Sequence, residues 1–258
     1  MTNSRIHTLL AMTGLVATLA WTSAAGAANI GFVAGLSGGA LDKDFDLAWA
    51  ARLTSQGYTV TPIDQTTSAN SPIFATMDVL IVSQDVGSST YLNNVGIGLP
   101  IPILTYEYGL YDDIFGVTSQ GASSGIIDSG ITISDPSHPL AAGLSGDVSI
   151  YSGTGASISR FTSGNGSSGT KEIAVSASSP NYAVFAVLPA GAVGAGGQTW
   201  PALRMALPCY DTWDPTLVTA DGWKLLDGAV AYALVPEPGS VVLLGLGLAF
   251  LAARRQRR

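Results

Sequence analysis

Apolar residues in the first half of the chain come in short blocks separated by longer, more polar stretches. "NIGFVAGL" (29–36) is a brief apolar run closing on glycine, the pattern of a buried strand. In "KDFDLAWAARLTSQG" (43–57), Phe45, Leu47, Ala48, Ala51 and Leu53 outline the apolar side of a helix, and Gly57 supplies a C-cap. "YTVTPI" (58–63), "MDVLIVS" (77–83) and "LPIPILTYE" (99–107) read as further strands, the last confined to 103–106 by Pro100 and Pro102. Strands spaced by helix-length segments predict a parallel sheet with helices on both faces.

The second half changes rhythm. Strand-like runs at 125–134, 147–152, 172–178 and 182–189 have short, turn-rich connections, which predicts antiparallel strands added to the parallel core. A short strand is expected within 158–161, inside the Gly/Ser/Thr-rich stretch 152–170, and 190–197 reads as a loop. "LRMALPCY" (203–210) is one more buried strand. Residues 219–234 close the body as an amphipathic helix with Thr219 as N-cap and Trp223, Leu226, Val230 and Leu234 on one face.

The two ends have a different grammar. Arg5, the apolar run 9–21 and the small residues Ala25, Gly26 and Ala27 form the three parts of a secretory signal peptide, cleaved near Ala28. At the other end, "VPEPGSVVLLGLGLAFLAARRQRR" sets Pro236-Glu237-Pro238 before 15 nearly uncharged residues and Arg254, Arg255, Arg257 and Arg258. As a helix, 239–253 spans roughly 22 Å, short for a hydrocarbon core of about 30 Å. The arginines stay on the cytoplasmic side. A brief span suits a temporary membrane anchor, and two prolines hold Glu237 in extended backbone, open to a processing enzyme. This order resembles the PEP-CTERM sorting signal of Gram-negative bacteria. The resemblance implies an exosortase and the secretion machinery as partners, and a place at the cell surface or in an exopolysaccharide, biofilm-like matrix.

With 258 residues, 47% of them hydrophobic and 11% charged, the chain can build one sizeable core. The domains expected are a signal peptide (1–27), an α/β body (28–234) and a sorting tail (235–258). The overall charge of −7 hides an asymmetry: residues 28–235 carry 17 acidic against 6 basic side chains, a net −11. Such a body repels phosphate backbones, so nucleic acid is not an expected partner. One cysteine, Cys209, precludes an internal disulfide and reads as a core filler.

The body also carries a family likeness. "IPILTYEYGLYDDIFG", "DPSHPLAAGLSGDVSIY" and "RMALPCYDTWDPTLVTADGWKLLDGAVAYAL" are similar to stretches of the class I glutamine amidotransferase-like fold, its trehalose-utilisation-type members in particular. That resemblance implies a flavodoxin-like doubly wound, mostly parallel sheet. It also implies a nucleophilic cysteine at the position of Glu107; none stands there, so amidotransferase activity is expected to be absent.

Candidate chemistry therefore rests on other groups. Ligands of open α/β sheets bind beyond the carboxyl ends of the strands. That points to 35–39, 84–89, 107–113 and 210–214, and to Ser37, Asp85, Glu107, Tyr108, Asp112, Tyr210 and Trp213, with His138 considered beside them. "GLSGG" (35–39) has the outline of a serine nucleophile elbow, but a tight strand-to-helix turn explains its glycines. His138, in "DPSHP", fits a turn that bonds its own backbone. Asp42, Asp44 and Asp46 alternate like the start of a calcium loop but lack its glycine and distant glutamate; a solvated helix N-terminus accounts for them. No metal and no cofactor is expected. Carboxylates with Tyr106, Tyr108, Tyr111, Tyr210 and Trp213 would make an acidic, aromatic-rimmed cleft suited to carbohydrate. The expectation is a non-catalytic binding or structural domain, with a carbohydrate-active hydrolase using Glu107 as the alternative.

Overall fold

The buried runs divide by residue parity. Ile30, Phe32 and Ala34 face one core while Val33 faces another; Val79 and Ile81 oppose Leu80 and Val82 in the same way. A strand buried on both faces needs a helical layer on each side. The computed structural model, which describes residues 27–117, 126–194 and 197–235, supplies both layers. Most of the expected signal peptide and sorting tail, including 239–253, lies outside those residues.

In chain order the elements are β1 (Asn29–Ala34), α1 (Asp44–Ser55), β2 (Thr59–Asp64), β3 (Val79–Val82), α2 (Ser88–Asn94), β4 (Ile103–Thr105) and α3 (Tyr111–Phe115). Then come β5 (Ile126–Ile127), β6 (Gly130–Ile133), β7 (Gly146–Ser149), β8 (Ser157–Ile158), β9 (Phe161–Thr162), β10 (Lys171–Ser176), β11 (Tyr182–Leu188), β12 (Arg204–Ala206) and α4 (Ala220–Ala233). The main sheet runs β2-β1-β3-β4-β12-β11-β10-β6-β7, with β9 paired to β11. Its first five strands are mutually parallel. From β11 onward the pairing is antiparallel. The fold is thus a mixed α/β sheet, parallel at its centre and extended by antiparallel strands.

Helices α1 and α4 cover one face. Phe45 stacks on Trp223 at 5.9 Å, and Arg52 meets Asp227 through Nη2–Oδ2 at 2.6 Å. Helices α2 and α3 cover the other through Tyr91, Tyr111, Ile114 and Phe115. Gly57, at φ 95°, lies just beyond α1 in the left-handed region where the stop was expected. Thr219 caps α4 by accepting from the Gly222 N–H.

The apolar side of α1 differs from the expected one. Phe45, Trp49 and Leu53 are buried together with Asp46, whereas Leu47 is 47% exposed and Ala51 lies in solvent. The segment 125–134 splits into β5 and β6. The short strand expected within 158–161 becomes two, β8 in a separate two-stranded sheet with β5 and β9 on β11.

Candidate functional site

The order β2-β1-β3-β4-β12 puts the topological switch point between β1 and β3, where such sheets ordinarily leave a crevice. Here the chain fills it. A Cβ on Gly35 would lie 3.0 Å from Asp85 Oδ2 and 3.0 Å from Gln65 Nε2. The Gln65 side-chain oxygen accepts from the Gly87 N–H at 2.7 Å, and Lys43 Nζ sits 3.0 Å from Asp85 Oδ1. Ser37 belongs to a tight, exposed turn bonded to Ala40, with Gly38 and Gly39 at positive φ.

The open space lies further along, beyond the ends of β3, β4 and β12. A cleft of about 370 Å³ is lined there by Gln84, Val86, Gly87, Ser88, Glu107, Tyr108, Tyr210 and Asp211. Glu107 follows β4 and begins a short 3-10 turn (Tyr108–Leu110) that leads into α3. Its backbone, at φ −74°, is relaxed, unlike a strained nucleophile elbow. Its Oε1 accepts from the Gly109 N–H at 2.8 Å. The turn is close-packed: a Cβ at 109 would stand 2.5 Å from Oε1 and 2.9 Å from Ser88 Oγ, so a side chain there would displace the Glu107 carboxyl.

Glu107 is only 6% exposed. Burial pushes its carboxyl up to about 8, against the pull of the Gly109 N–H and with help from Asp211. At neutral pH the group is therefore mostly protonated and can donate a hydrogen bond. Asp211 is also raised, by burial and then by Asp85, while Lys43 opposes. Gln84 Oε1 accepts weakly from the Asp211 N–H at 3.4 Å. Gln84 Nε2 is buried with no acceptor in hydrogen-bond geometry; burial raises the neighbouring Tyr210 phenol, and the Gln84 side chain partly opposes that. The cleft thus offers donors in Gln84 and neutral Glu107, an acceptor in Asp211, and two tyrosine rings.

Beneath the cleft lies a group that the sequence reading assigned to solvent. Asp46 is fully buried, accepting from Ser83 Oγ at 2.7 Å and from the Tyr106 hydroxyl. Burial raises it to about 6 despite those two donors. Ser83 Oγ in turn accepts from the Asp85 N–H at 3.0 Å, so α1, β3 and β4 are joined at their cleft ends. The signal available in sequence was its position beside Phe45 and three before Trp49, on the edge of the true apolar stripe. Cys209 is buried next to this group, and burial, with Asp46 and Asp211, pushes its thiol well above the ordinary range. It is a core residue without thiolate character.

Of the candidate residues, Glu107, Tyr108 and Tyr210 line the cleft and Asp85 stands beside it, tied to Lys43. The others lie elsewhere. Asp112 is in the first turn of α3. Trp213 is buried in the core, its Nε1 donating to Ser157 O at 2.7 Å and its ring 4.9 Å from Tyr151. His138 starts a 3-10 turn, its Nδ1 accepting from the Leu140 N–H, with its ring 5.5 Å from Tyr232. Tyr106 and Tyr111 are buried as well, so the aromatic rim reduces to two rings. Among the described residues, no three of His, Cys, Asp and Glu are grouped to hold a metal ion. Nor is any helix among them long and apolar enough to cross a membrane.

No curated protein matches the chain in sequence. Among solved structures it is similar to a protein from Bacteroides uniformis described as ThuA-like, 7% identical, with a TM-score of 0.53 over 85% of this chain and 96% of that one. It is also similar to a protein from Thermoplasma acidophilum described as one subunit of a GMP synthase, 11% identical, with a TM-score of 0.45 over 80% and 94%. The first likeness fits a glutamine amidotransferase-like, flavodoxin-type fold. Residues 234–258 match the PEP-CTERM protein-sorting motif, which marks an exported protein that an exosortase processes at the membrane and that ends at the cell surface.

Proposed function

We propose that this is a surface protein whose α/β body binds a neutral, hydroxyl-rich ligand, a carbohydrate of the surrounding extracellular polysaccharide, in the cleft around Glu107, without catalysing amide transfer. The observation that carries this reading is the cleft wall itself. A buried, mostly protonated Glu107 stands where the resembling fold would place a nucleophile, flanked by Gln84, Asp211, Tyr108 and Tyr210. Paired donors and acceptors suit sugar hydroxyls, and tyrosine faces suit the apolar face of a sugar ring. A phosphorylated or carboxylated ligand is disfavoured, because Lys43, whose charge reaches Asp211, is already held by Asp85.

The test is a glycan array on residues 28–235 followed by calorimetry. Glu107→Gln, which keeps a neutral donor, should retain the fold and bind within a few-fold of the parent. Binding should weaken as pH rises through about 8, because the deprotonated carboxylate no longer donates. No binding to any neutral glycan would refute the proposal.

A second reading is hydrolysis, and one observation favours it: two carboxyl groups, Glu107 and Asp211, meet at one cleft with Glu107 held as the acid. Then Glu107→Gln would abolish release of reducing ends from the bound glycan. A binding domain shows no turnover to lose.

A further inference from the structure

The cleft and the end of α4, where the sorting motif begins, lie at opposite edges of the sheet. Helix α1 begins at the cleft end, where Asp46 meets Ser83 and Tyr106, and finishes at the far edge, where Gly57 hands the chain to β2. Helix α4 runs alongside in the same direction: Phe45 stacks on Trp223 near the two starts, and Arg52 meets Asp227 further along. The end of α4 therefore lies at the edge where the parallel strands begin. Fourteen helical residues carry the chain roughly 21 Å from the cleft end to that edge. The chain also enters β1 there: the Thr59 N–H donates to Ala28 O, and the Asn29 N–H to Asp78 Oδ2 at 2.8 Å.

There is almost no spacer. Leu234 caps α4, Val235 is 64% exposed, and the sorting motif begins at residue 234. From Val235 to Val241, where the apolar side chains begin, an extended chain reaches at most about 22 Å. The folded edge must then lie close to the bilayer for as long as the tail is in it.

We infer that the tethered protein stands with the starting edge of its parallel strands against the membrane and its processing enzyme, and with the cleft on the opposite edge, open to the outside. The inference rests on the sorting reading of the tail. At the starting edge the buried Arg204 guanidinium fastens the loop before β4, donating to the carbonyls of Ile97, Leu99 and Ile101. At the cleft edge Gln84 Nε2 is left without an acceptor. Residues 1–27, as an export signal, would join the body at the same membrane-side edge, so both terminal segments can occupy the bilayer together without disturbing the fold.

The experiment uses the full chain in proteoliposomes, with Ser89→Cys marking the cleft edge and Gln56→Cys the opposite edge. Both positions are exposed and neither side chain makes a hydrogen bond, while the native Cys209 is buried and silent. A bulky maleimide-polyethylene glycol is added outside the vesicles, and flotation reports whether the chain is tethered. In floating vesicles Ser89→Cys should react several-fold faster than Gln56→Cys, and the two rates should converge once the body is severed at both ends, after Ala27 and after Val235. Equal rates in the tethered chain, or a faster Gln56→Cys, overturn the orientation while leaving the sorting reading intact. A chain that does not float overturns both.

Discussion

Glu107 and Asp46, two buried carboxylic acids, set the chemistry at the residue scale. Glu107 drew notice because it follows a strand at the position of a missing nucleophile. Asp46 did not, since a run of alternating aspartates at a helix start reads as a solvated N-terminus. What the alternation hides is rotation: Asp46 shares the inner side of α1 with Phe45, Trp49 and Leu53. Its carboxyl, raised from 3.8 to about 6, binds its proton more tightly in the folded state than in the unfolded one. The resulting stabilisation is present in full below pH ~4 and is lost as pH rises through about 6. The magnitude is on the order of 2–3 kcal/mol. Glu107 acts in the same direction, with the loss continuing to about pH 8. Asp46→Asn accepts from one hydroxyl and donates to the other, so urea melts of this variant should show a shallower fall in stability between pH 4 and 6. Asp46→Ala should show the same shallower fall, on top of a loss of about 1–3 kcal/mol at low pH because Ser83 and Tyr106 lose their acceptor. If both variants follow the parent's pH profile, Asp46 is not the titrating group.

At the element scale, strands were legible wherever apolar residues ran continuously, because both faces of the central sheet are covered. The apolar side of α1 was misread because alanines and Leu47 suggested a face that the true Phe45–Trp49–Leu53 stripe does not share. The splitting of 125–134 and the departure of β8 into its own small sheet depend on long-range pairing, which no local pattern encodes. Arg204 belongs here too. In sequence it is the one charged residue of the buried strand read at 203–210. In the fold it is fully buried beside the Trp200 ring, and its guanidinium meets the carbonyls of Ile97, Leu99, Ile101, Ala202 and Leu203 without a carboxylate partner. Burial lowers its pKa to about 10, which leaves it charged at neutral pH. The five-donor fork is what closes the loop before β4. Arg204→Met should cost at least about 3 kcal/mol, since several carbonyls lose their donor at once. Arg204→Lys should recover little of this, because an ammonium cannot span carbonyls spread over that loop. Both are read from denaturant midpoints, and hydrogen exchange in 97–103 should rise first.

The whole molecule is organised by a division of charge and of ends. An acidic body, net −11 over residues 28–235, is joined to a tail ending in four arginines. In the tethered arrangement inferred above, the arginines hold to the cytoplasmic side and the acidic body remains outside. Because the sorting motif follows α4 almost directly, the processing enzyme must work against the folded body. Helix α4 gives little ground: Leu225, Leu226, Ala229, Val230 and Ala233 are buried, and a Cβ on Gly222 would meet Ile150 O at 2.3 Å. Unwinding its last turn to free more chain would expose Val230 and Ala233 and cost about 1.5–3 kcal/mol for the valine alone. Chain length next to the motif is therefore expected to control the rate of cutting. A flexible Gly-Ser spacer inserted between Val235 and Pro236 should speed conversion of the full-length chain to the processed form, and deletion of Leu234 and Val235 should slow it. Pulse-chase labelling in cells that carry the exosortase measures both, with the uncut and cut species resolved by mass. Neither change touches the cleft edge, so ligand affinity of the released body should be the same in both variants. Cutting at the parental rate in both would mean that the enzyme reads the motif without feeling the fold beside it.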